Sequence, residues 1–92
     1  MHAPIDTYAA EIDDLTKLAA ELAARGLRAQ VQESPGRLPC LHVTNPRATA
    51  LSERVFAQAD SYWWSWAERI AGCDEPATAA GILARVLRTI TE

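Results

Sequence analysis

The sequence predicts an α+β domain: a helix, a four-stranded antiparallel meander and a second helix, with both helices on one face of the sheet. Apolar residues recur every three or four positions over residues 5–22 and 79–90, which is typical of amphipathic helices. Between these segments apolar and polar residues alternate, which indicates half-buried strands. The length of 92 residues predicts one domain spanning residues 1–92.

The first predicted helix carries an apolar stripe along one side. The stripe consists of Ile5, Tyr8, Ile12, Leu15, Leu18, Ala19 and Leu22. Asp6 is the predicted N-cap, because its carboxylate can accept hydrogen bonds from the free N–H groups of the first turn. Gly26 marks the predicted end, because glycine readily adopts the left-handed conformation that terminates many helices.

The next two segments predict a hairpin. Apolar side chains alternate with arginine and glutamine over residues 27–32, and a second strand follows over residues 38–44. Residues 34–37 read Ser-Pro-Gly-Arg, in which proline presets φ and glycine accepts a positive φ. Pro39 has no N–H to donate, so it belongs at the start of its strand or at an unpaired position.

Residues 51–58 have two interpretations. We favour a strand, because Val55 and Phe56 lie between two turn signals and the segment leads directly into an aromatic strand. A short helix stays open, since Leu51 and Val55 are four residues apart. The fourth strand is predicted from Tyr62 to about residue 70.

The second predicted helix follows a short acidic turn. Asp74 is its predicted N-cap, and Pro76 lies in its first turn, where a missing N–H costs nothing. Its apolar stripe consists of Ala79, Ile82, Leu83, Val86, Leu87 and Ile90. Arg85 and Arg88 are expected to face outward near its C-terminus, the end at which the helix dipole favours positive charge.

Composition argues against several classes of protein. The chain has a net charge of −3, and its sequence pattern offers no basic patch, so we expect no nucleic-acid partner. Cys40 and Cys73 provide neither a disulfide framework nor metal-ligand spacing, and no cofactor motif is evident. Without a signal-like or membrane-spanning segment, we expect a cytoplasmic protein with no membrane contact.

Four of the six aromatic residues lie in the stretch 62–66. On a strand, Tyr62, Trp64 and Trp66 would share one face and Trp63 would occupy the other. Each such side chain can bury roughly 150–250 Å². We therefore expect one face of this strand to join the core and the other to meet a partner.

The second strand also has apolar residues on both faces. Leu41 and Val43 share one face, opposite Leu38, Cys40 and His42. Contiguous exposed apolar surface usually marks an interaction site. The residues expected to face an interface or a ligand are Leu38, Cys40, His42, Phe56, Tyr62, Trp63, Trp64 and Trp66.

Cys40 and His42 are the residues closest to a catalytic pattern. They would share a strand face, as in a thiolate–imidazole pair, but no orienting third residue or oxyanion element is evident. We expect neither residue to carry chemistry. Glu53, Asp60 and Glu68 are expected to be solvated charges, with Glu68 also able to accept a hydrogen bond from an indole or to pair with an arginine.

Two segments resemble short uncharacterised proteins of actinobacteria: residues 36–43, Gly-Arg-Leu-Pro-Cys-Leu-His-Val, and residues 63–70, Trp-Trp-Ser-Trp-Ala-Glu-Arg-Ile. In that group a similar Trp-x-x-Trp-Ala-Glu-x-Ile pattern ends an aromatic strand before an alanine-rich helix. The resemblance covers most of residues 10–90 and implies genes near helix-turn-helix regulators or specialised metabolism, with no established reaction. The element order also resembles small dimeric chaperone-like α+β folds that bind peptide segments.

These observations predict a non-enzymatic interaction module. We expect a homodimer that binds a protein or peptide partner through its sheet, because a small alanine-rich core favours association. The alternative is a small-ligand-binding protein or minor enzyme with a pocket lined by Tyr62, Trp64 and Trp66. A DNA-binding regulator is disfavoured by the charge.

Overall fold

A computed structural model describes the backbone of residues 4–87 and the side chains of residues 9–87. The elements are α1 (Pro4–Ala24), β1 (Arg28–Gln32), β2 (Cys40–Asn45), β3 (Ala48–Gln58), β4 (Ser61–Trp64), β5 (Arg69–Gly72) and α2 (Pro76–Val86). The strands pair in chain order as one antiparallel sheet. The predicted α+β class and antiparallel meander are confirmed, whereas the predicted number of four strands is wrong.

The extra strand arises because the chain turns at residues 65–67, inside the segment predicted as one long strand. The Trp64 N–H donates to the Glu68 carbonyl (2.8 Å), and the Ala67 N–H donates to the Trp64 carbonyl (3.0 Å). Ala67 has a φ of 69°. This is a three-residue hairpin loop that ends in a left-handed residue. The turn lacks glycine, proline and asparagine, so its sequence looked like part of a strand.

Residues 51–58 lie within β3, which confirms the strand interpretation. Its connection to β4 is a two-residue turn in which Ala59 (φ 49°) and Asp60 (φ 60°) are both left-handed. Gln58 and Ser61 are the paired residues on either side. Two left-handed central residues match the twist of the flanking strands, which is why this turn type closes tight hairpins.

Helix α1 begins earlier than predicted and ends where predicted. It starts at Pro4, so the predicted N-cap Asp6 lies inside the helix and that prediction is wrong. Gly26 has a φ of 83°, and the Leu27 N–H donates to the Leu22 carbonyl (3.0 Å). This pattern is a Schellman motif, in which a left-handed residue returns the chain across the last turn.

Helix α2 also starts differently. Its N-cap is Glu75, which makes no side-chain capping bond, so the prediction of Asp74 is wrong. Pro76 occupies the first turn as predicted. Val86 is 51% exposed, contrary to its predicted place in the apolar stripe. The predictions for the side chains of Ile5 and Tyr8, and those for Arg88 and Ile90, lie outside the described part of the chain.

One buried core joins the helices to alternate residues of the strands. Its members include Leu15, Leu18, Leu22, Leu41, Val43, Val55, Ala57, Tyr62, Trp64, Ala71, Ala79, Ala80, Leu83 and Leu87. Helix α1 contacts β1, β2 and β3, and α2 contacts α1 and β5. We call the sheet face that bears Leu41, Val55 and Tyr62 the inner face, and the opposite face the outer face.

A buried asparagine ties the β2–β3 turn to the end of α2. Asn45 is 7% exposed. Its Nδ2 donates to the Leu87 carbonyl (2.7 Å), and its Oδ1 accepts from the Arg47 N–H (2.8 Å). The first bond satisfies a carbonyl at a helix end that has no partner within the helix.

The left-handed conformation of Ala67 predicts that glycine is preferred there. Ala67→Gly should raise the free energy of unfolding by about 0.5–1 kcal/mol, because a β-carbon in this region costs about 1–2 kcal/mol and glycine's extra unfolded-state entropy offsets part of the gain. Urea denaturation measures the change. Ala50→Gly, an exposed β3 position, is the matched control and should lower stability by about 0.5–1 kcal/mol. Equal losses in both variants would contradict the left-handed loop.

The bonds of Asn45 predict a second stability effect. Asn45→Ala should lower the free energy of unfolding by about 1–3 kcal/mol, because it leaves the Leu87 carbonyl and the Arg47 N–H without their partner. The midpoint of urea denaturation reports the loss. Gln30→Ala, at an exposed strand position, should change stability by no more than about 0.5 kcal/mol. An Asn45 variant as stable as this control would rule out the proposed link.

Candidate functional site

Strand register determines which residues share the outer face. Gln30 lies opposite His42, which lies opposite Arg54, and Phe56 lies opposite Trp63. Alternation adds every second residue along each strand. The strand residues of this face include Arg28, Gln30, Gln32, Cys40, His42, Thr44, Ser52, Arg54, Phe56, Ser61, Trp63 and Arg69.

An apolar groove of about 380 Å³ crosses one end of the outer face. Its main apolar lining comes from Leu38, Phe56, Trp63 and Ala67. Leu38 is 53% exposed, while Phe56 and Trp63 are half-buried. The Trp63 indole N–H donates to the Gln58 carbonyl (2.9 Å), which holds the ring in place. The groove therefore presents a preformed apolar surface.

A second groove of about 420 Å³ adjoins the first. It shares Leu38 and Phe56 with the apolar groove and adds Arg37 and Arg54. Gln32, Ser34 and Cys40 complete its lining. The two grooves together form a surface that is apolar at one end and positively charged at the other.

The eight residues predicted to face an interface or ligand divide into two groups. The outer face holds Leu38, Cys40, His42, Phe56 and Trp63. The remaining three are Tyr62, Trp64 and Trp66. Trp64 is 7% exposed and packs in the core, although it also contributes to the apolar groove.

Trp66 lies in the β4–β5 loop and not in a strand. Its ring stacks on that of Trp64, with centroids 4.8 Å apart and an interplanar angle of 6°. Its Nε1 donates to the Glu68 carboxylate (3.0 Å), so of the two partners expected for Glu68 the structure selects the indole. Trp66 remains 53% exposed, and its ring covers one side of the Trp64 ring.

Tyr62 is fully buried against α1. Its hydroxyl donates to the Asp14 carbonyl (2.6 Å), and burial raises the pKa of this phenol above its ordinary value. Gln58 makes a second link to the helix, since its Nε2 donates to Glu11 Oε2 (3.0 Å). Burial raises the pKa of Glu11, and the bond from Gln58 partly offsets that shift. Tyr62 thus acts as a core residue.

The sequence pattern did not lead us to group the arginines of this surface. Arg28, Arg54 and Arg69 belong to outer-face strand positions, and Arg37 lines the adjoining groove. No acidic residue occupies a strand position of the outer face. The two-residue alternation of a strand could have revealed them: each strand arginine is next to a residue whose side chain points inward, so the arginine itself belongs to the outer face. The overall acidic composition obscured it.

Cys40 and His42 are side by side on the outer face of β2. The Cys40 thiol is 9% exposed and its sulfur lies 3.9 Å from Gln32 Oε1. The strand neighbours of His42 are Gln30 and Arg54, neither of which is a carboxylate that could orient an imidazole. Among the described residues, no three histidine, cysteine or acidic side chains cluster as metal ligands.

Cys73 is a free, half-buried thiol beyond β5. Burial raises its pKa to about 12, and the negative charges of Asp14, Asp60 and Asp74 add to the shift because they disfavour a thiolate. Since the thiolate is the nucleophilic form, we expect this thiol to react slowly at neutral pH.

No protein-family model matches the chain, and neither the curated proteins nor the solved structures include a match. No helix of the described residues is long and apolar enough to cross a membrane.

The raised pKa of Cys73 predicts slow alkylation. In a Cys40→Ser variant, where Cys73 is the sole cysteine, iodoacetamide should react at about pH 7.5 far more slowly than with a free thiol of pKa about 8.5. The rate should keep rising as pH approaches 12. Stability should fall over the same window, from about pH 8.5 upward, because the unfolded chain ionises first.

The same Cys40→Ser variant unfolded in urea is the control for this measurement. Its thiol should react at the rate of free cysteine. A folded-state rate at neutral pH equal to the unfolded rate would contradict the protected, protonated thiol.

Proposed function

We propose that this chain is a non-enzymatic interaction module that self-associates and binds a partner protein through the outer face of its sheet. The observation that carries the proposal is the continuous surface formed by Leu38, Phe56 and Trp63, on which large apolar side chains remain accessible. Apolar surface of this kind on a folded domain usually marks an interaction site. A tryptophan beside an arginine-rich border is also typical of interface centres.

The arrangement of layers is part of this proposal: both helices lie on the inner face and leave the outer face open. The bond from Tyr62 to Asp14 supports this for α1. For α2, support comes from its contacts with α1 and from Leu83, which joins the same buried core. Antiparallel sheets commonly have one packed and one open face.

The modest core supports self-association. Alanine supplies several of the buried positions, including Ala57, Ala71, Ala79 and Ala80, and alanine buries little area. Small domains often compensate by oligomerising, most commonly as two-fold dimers in which the same patch meets its copy. The resemblance to dimeric chaperone-like and regulator-associated proteins is compatible with a cytoplasmic, regulatory role.

A small-ligand-binding protein or minor enzyme is the second candidate. The groove volume of about 380 Å³ favours it, since small-molecule sites range from about 300 to 1,000 Å³. In that case the binding site is the Trp63 groove and not a pocket around Tyr62, which is fully buried. If this groove binds a ligand and is not a self-association surface, Leu38→Ala should leave the molecular mass in solution unchanged.

The proposal predicts a concentration-dependent dimer. Light scattering coupled to gel filtration should give a mass rising from that of the 10.0 kDa monomer toward twice that value across the micromolar range. Leu38→Ala and Trp63→Ala should raise the dimer dissociation constant about tenfold or more, because each removes apolar interface area that contributes about 1.4 kcal/mol or more to the free energy of association.

Val86→Ala is the matched control for this measurement. Val86 is 51% exposed and Leu38 is 53% exposed, but Val86 lies on α2 and not on the outer face. The control should leave association unchanged. Circular dichroism checks that Trp63→Ala still folds, and Leu38→Ala, at a half-exposed loop position, provides an independent answer. A monomer at every concentration, or equal effects of Leu38→Ala and Val86→Ala, would disprove self-association through this face.

A further inference from the structure

The outer strand face differs in charge from the chain as a whole. The chain carries a net charge of −3, and α1 carries the described acids Glu11, Asp13, Asp14 and Glu21. The strand positions of the outer face hold arginines and no acid. An acidic protein with one basic sheet face has a surface that attracts negative charge at short range.

Three of the four arginines at this surface, Arg28, Arg37 and Arg54, make no side-chain bond within the described part of the chain. Arg69 donates to the Ser61 hydroxyl (2.9 Å), and Arg25 pairs with Glu21 (2.9 Å). The guanidinium groups of Arg37 and Arg54 make no such bond to any described residue, although both line the second groove. A planar guanidinium is suited to binding a carboxylate through two parallel hydrogen bonds.

We infer that the outer face binds an acidic segment of a partner protein, in which a large apolar residue lies next to carboxylates. The apolar residue would enter the groove at Leu38, Phe56 and Trp63. Its neighbouring carboxylates would meet Arg37 and Arg54, since Leu38 and Phe56 line both grooves and make them continuous. This inference rests on the proposed function and specifies the chemistry of the partner.

The structure favours an acidic protein segment over a single-stranded nucleic acid. Proteins that bind single-stranded nucleic acid use a positively charged groove that follows the backbone, whereas this groove offers two guanidinium groups without a partner among the described residues. The half-exposed aliphatic Leu38 suits an apolar side chain better than a stacked base.

Partner binding and self-association should differ in their dependence on salt concentration. In a two-fold dimer through this face, Arg37 and Arg54 of both copies would approach each other, so salt should strengthen the dimer by screening that repulsion. Binding of an acidic segment should have the opposite dependence and weaken with salt. An acidic partner would therefore compete with the dimer and be electrostatically preferred.

The test uses the full chain and a fluorescein-labelled peptide, Glu-Glu-Leu-Trp-Glu-Glu, followed by fluorescence anisotropy. The matched neutral peptide is Gln-Gln-Leu-Trp-Gln-Gln, and a single-stranded oligothymidylate represents nucleic acid. The acidic peptide should bind at least about tenfold more tightly than the neutral one at about 50 mM salt. The difference in affinity between the acidic and the neutral peptide should diminish at about 500 mM salt, where exposed charges are screened.

Arg37→Gln and Arg54→Gln remove charge but keep a polar side chain of similar shape. Each should weaken acidic-peptide binding about tenfold and leave the neutral peptide unaffected. Arg85→Gln, at an exposed arginine of α2, is the matched control and should change neither. The two groove variants should dimerise at least as tightly as the unmodified chain at low salt.

Three outcomes would overturn the inference: equal binding of the acidic and neutral peptides, no effect of Arg37→Gln and Arg54→Gln, or preferential binding of oligothymidylate. If the chain dimerises, Leu38→Ala weakens the dimer and the acidic peptide does not bind, this inference is overturned but the proposed function is not. A chain that is monomeric and binds neither peptide would overturn the proposed function as well.

Discussion

The burial of Tyr62 determines which way its neighbours in the sheet face. Its side chain is fully buried, and its hydroxyl donates to the Asp14 carbonyl of α1 at 2.6 Å. A shift of β4 by one residue would remove that ring from the core and leave the Asp14 carbonyl without this donor. With Tyr62 inward, Trp63 must face outward, and the register places Phe56 opposite it. The accessible aromatic surface is thus a direct consequence of core packing.

The β4–β5 loop completes that surface. Because the chain turns at Ala67 in a left-handed conformation, the sheet gains a fifth strand and the loop returns toward Trp63. Trp66 stacks on Trp64 and donates to Glu68, which holds the loop although no glycine relieves its backbone. Energetically costly backbone conformations tend to persist where the surrounding structure enforces them, often next to binding surfaces. Here the costly residue itself lines the apolar groove.

The outer face combines two properties that the overall composition conceals. Its apolar end is formed by Leu38 and Trp63, and its charged end by Arg37 and Arg54. An apolar anchor gives affinity through burial, whereas unpaired guanidinium groups give specificity and favour an anionic partner. The proposed function needs only the first property, while the inferred acidic partner needs both.

Local sequence patterns were enough to predict the α+β fold class, the two helices and the alternation of side chains along the strands. The apolar period of α1 and its stop at Gly26 are local, and the separation of Tyr62 from Trp63 requires only a strand. Tertiary structure decided what depends on distant partners. The grouping of the outer-face arginines depends on the register of separate strands, and the link from Tyr62 to Asp14 joins residues 48 positions apart. Local patterns reveal periodicity, but strand register and helix-to-sheet contacts arise only when segments distant in the chain pack together.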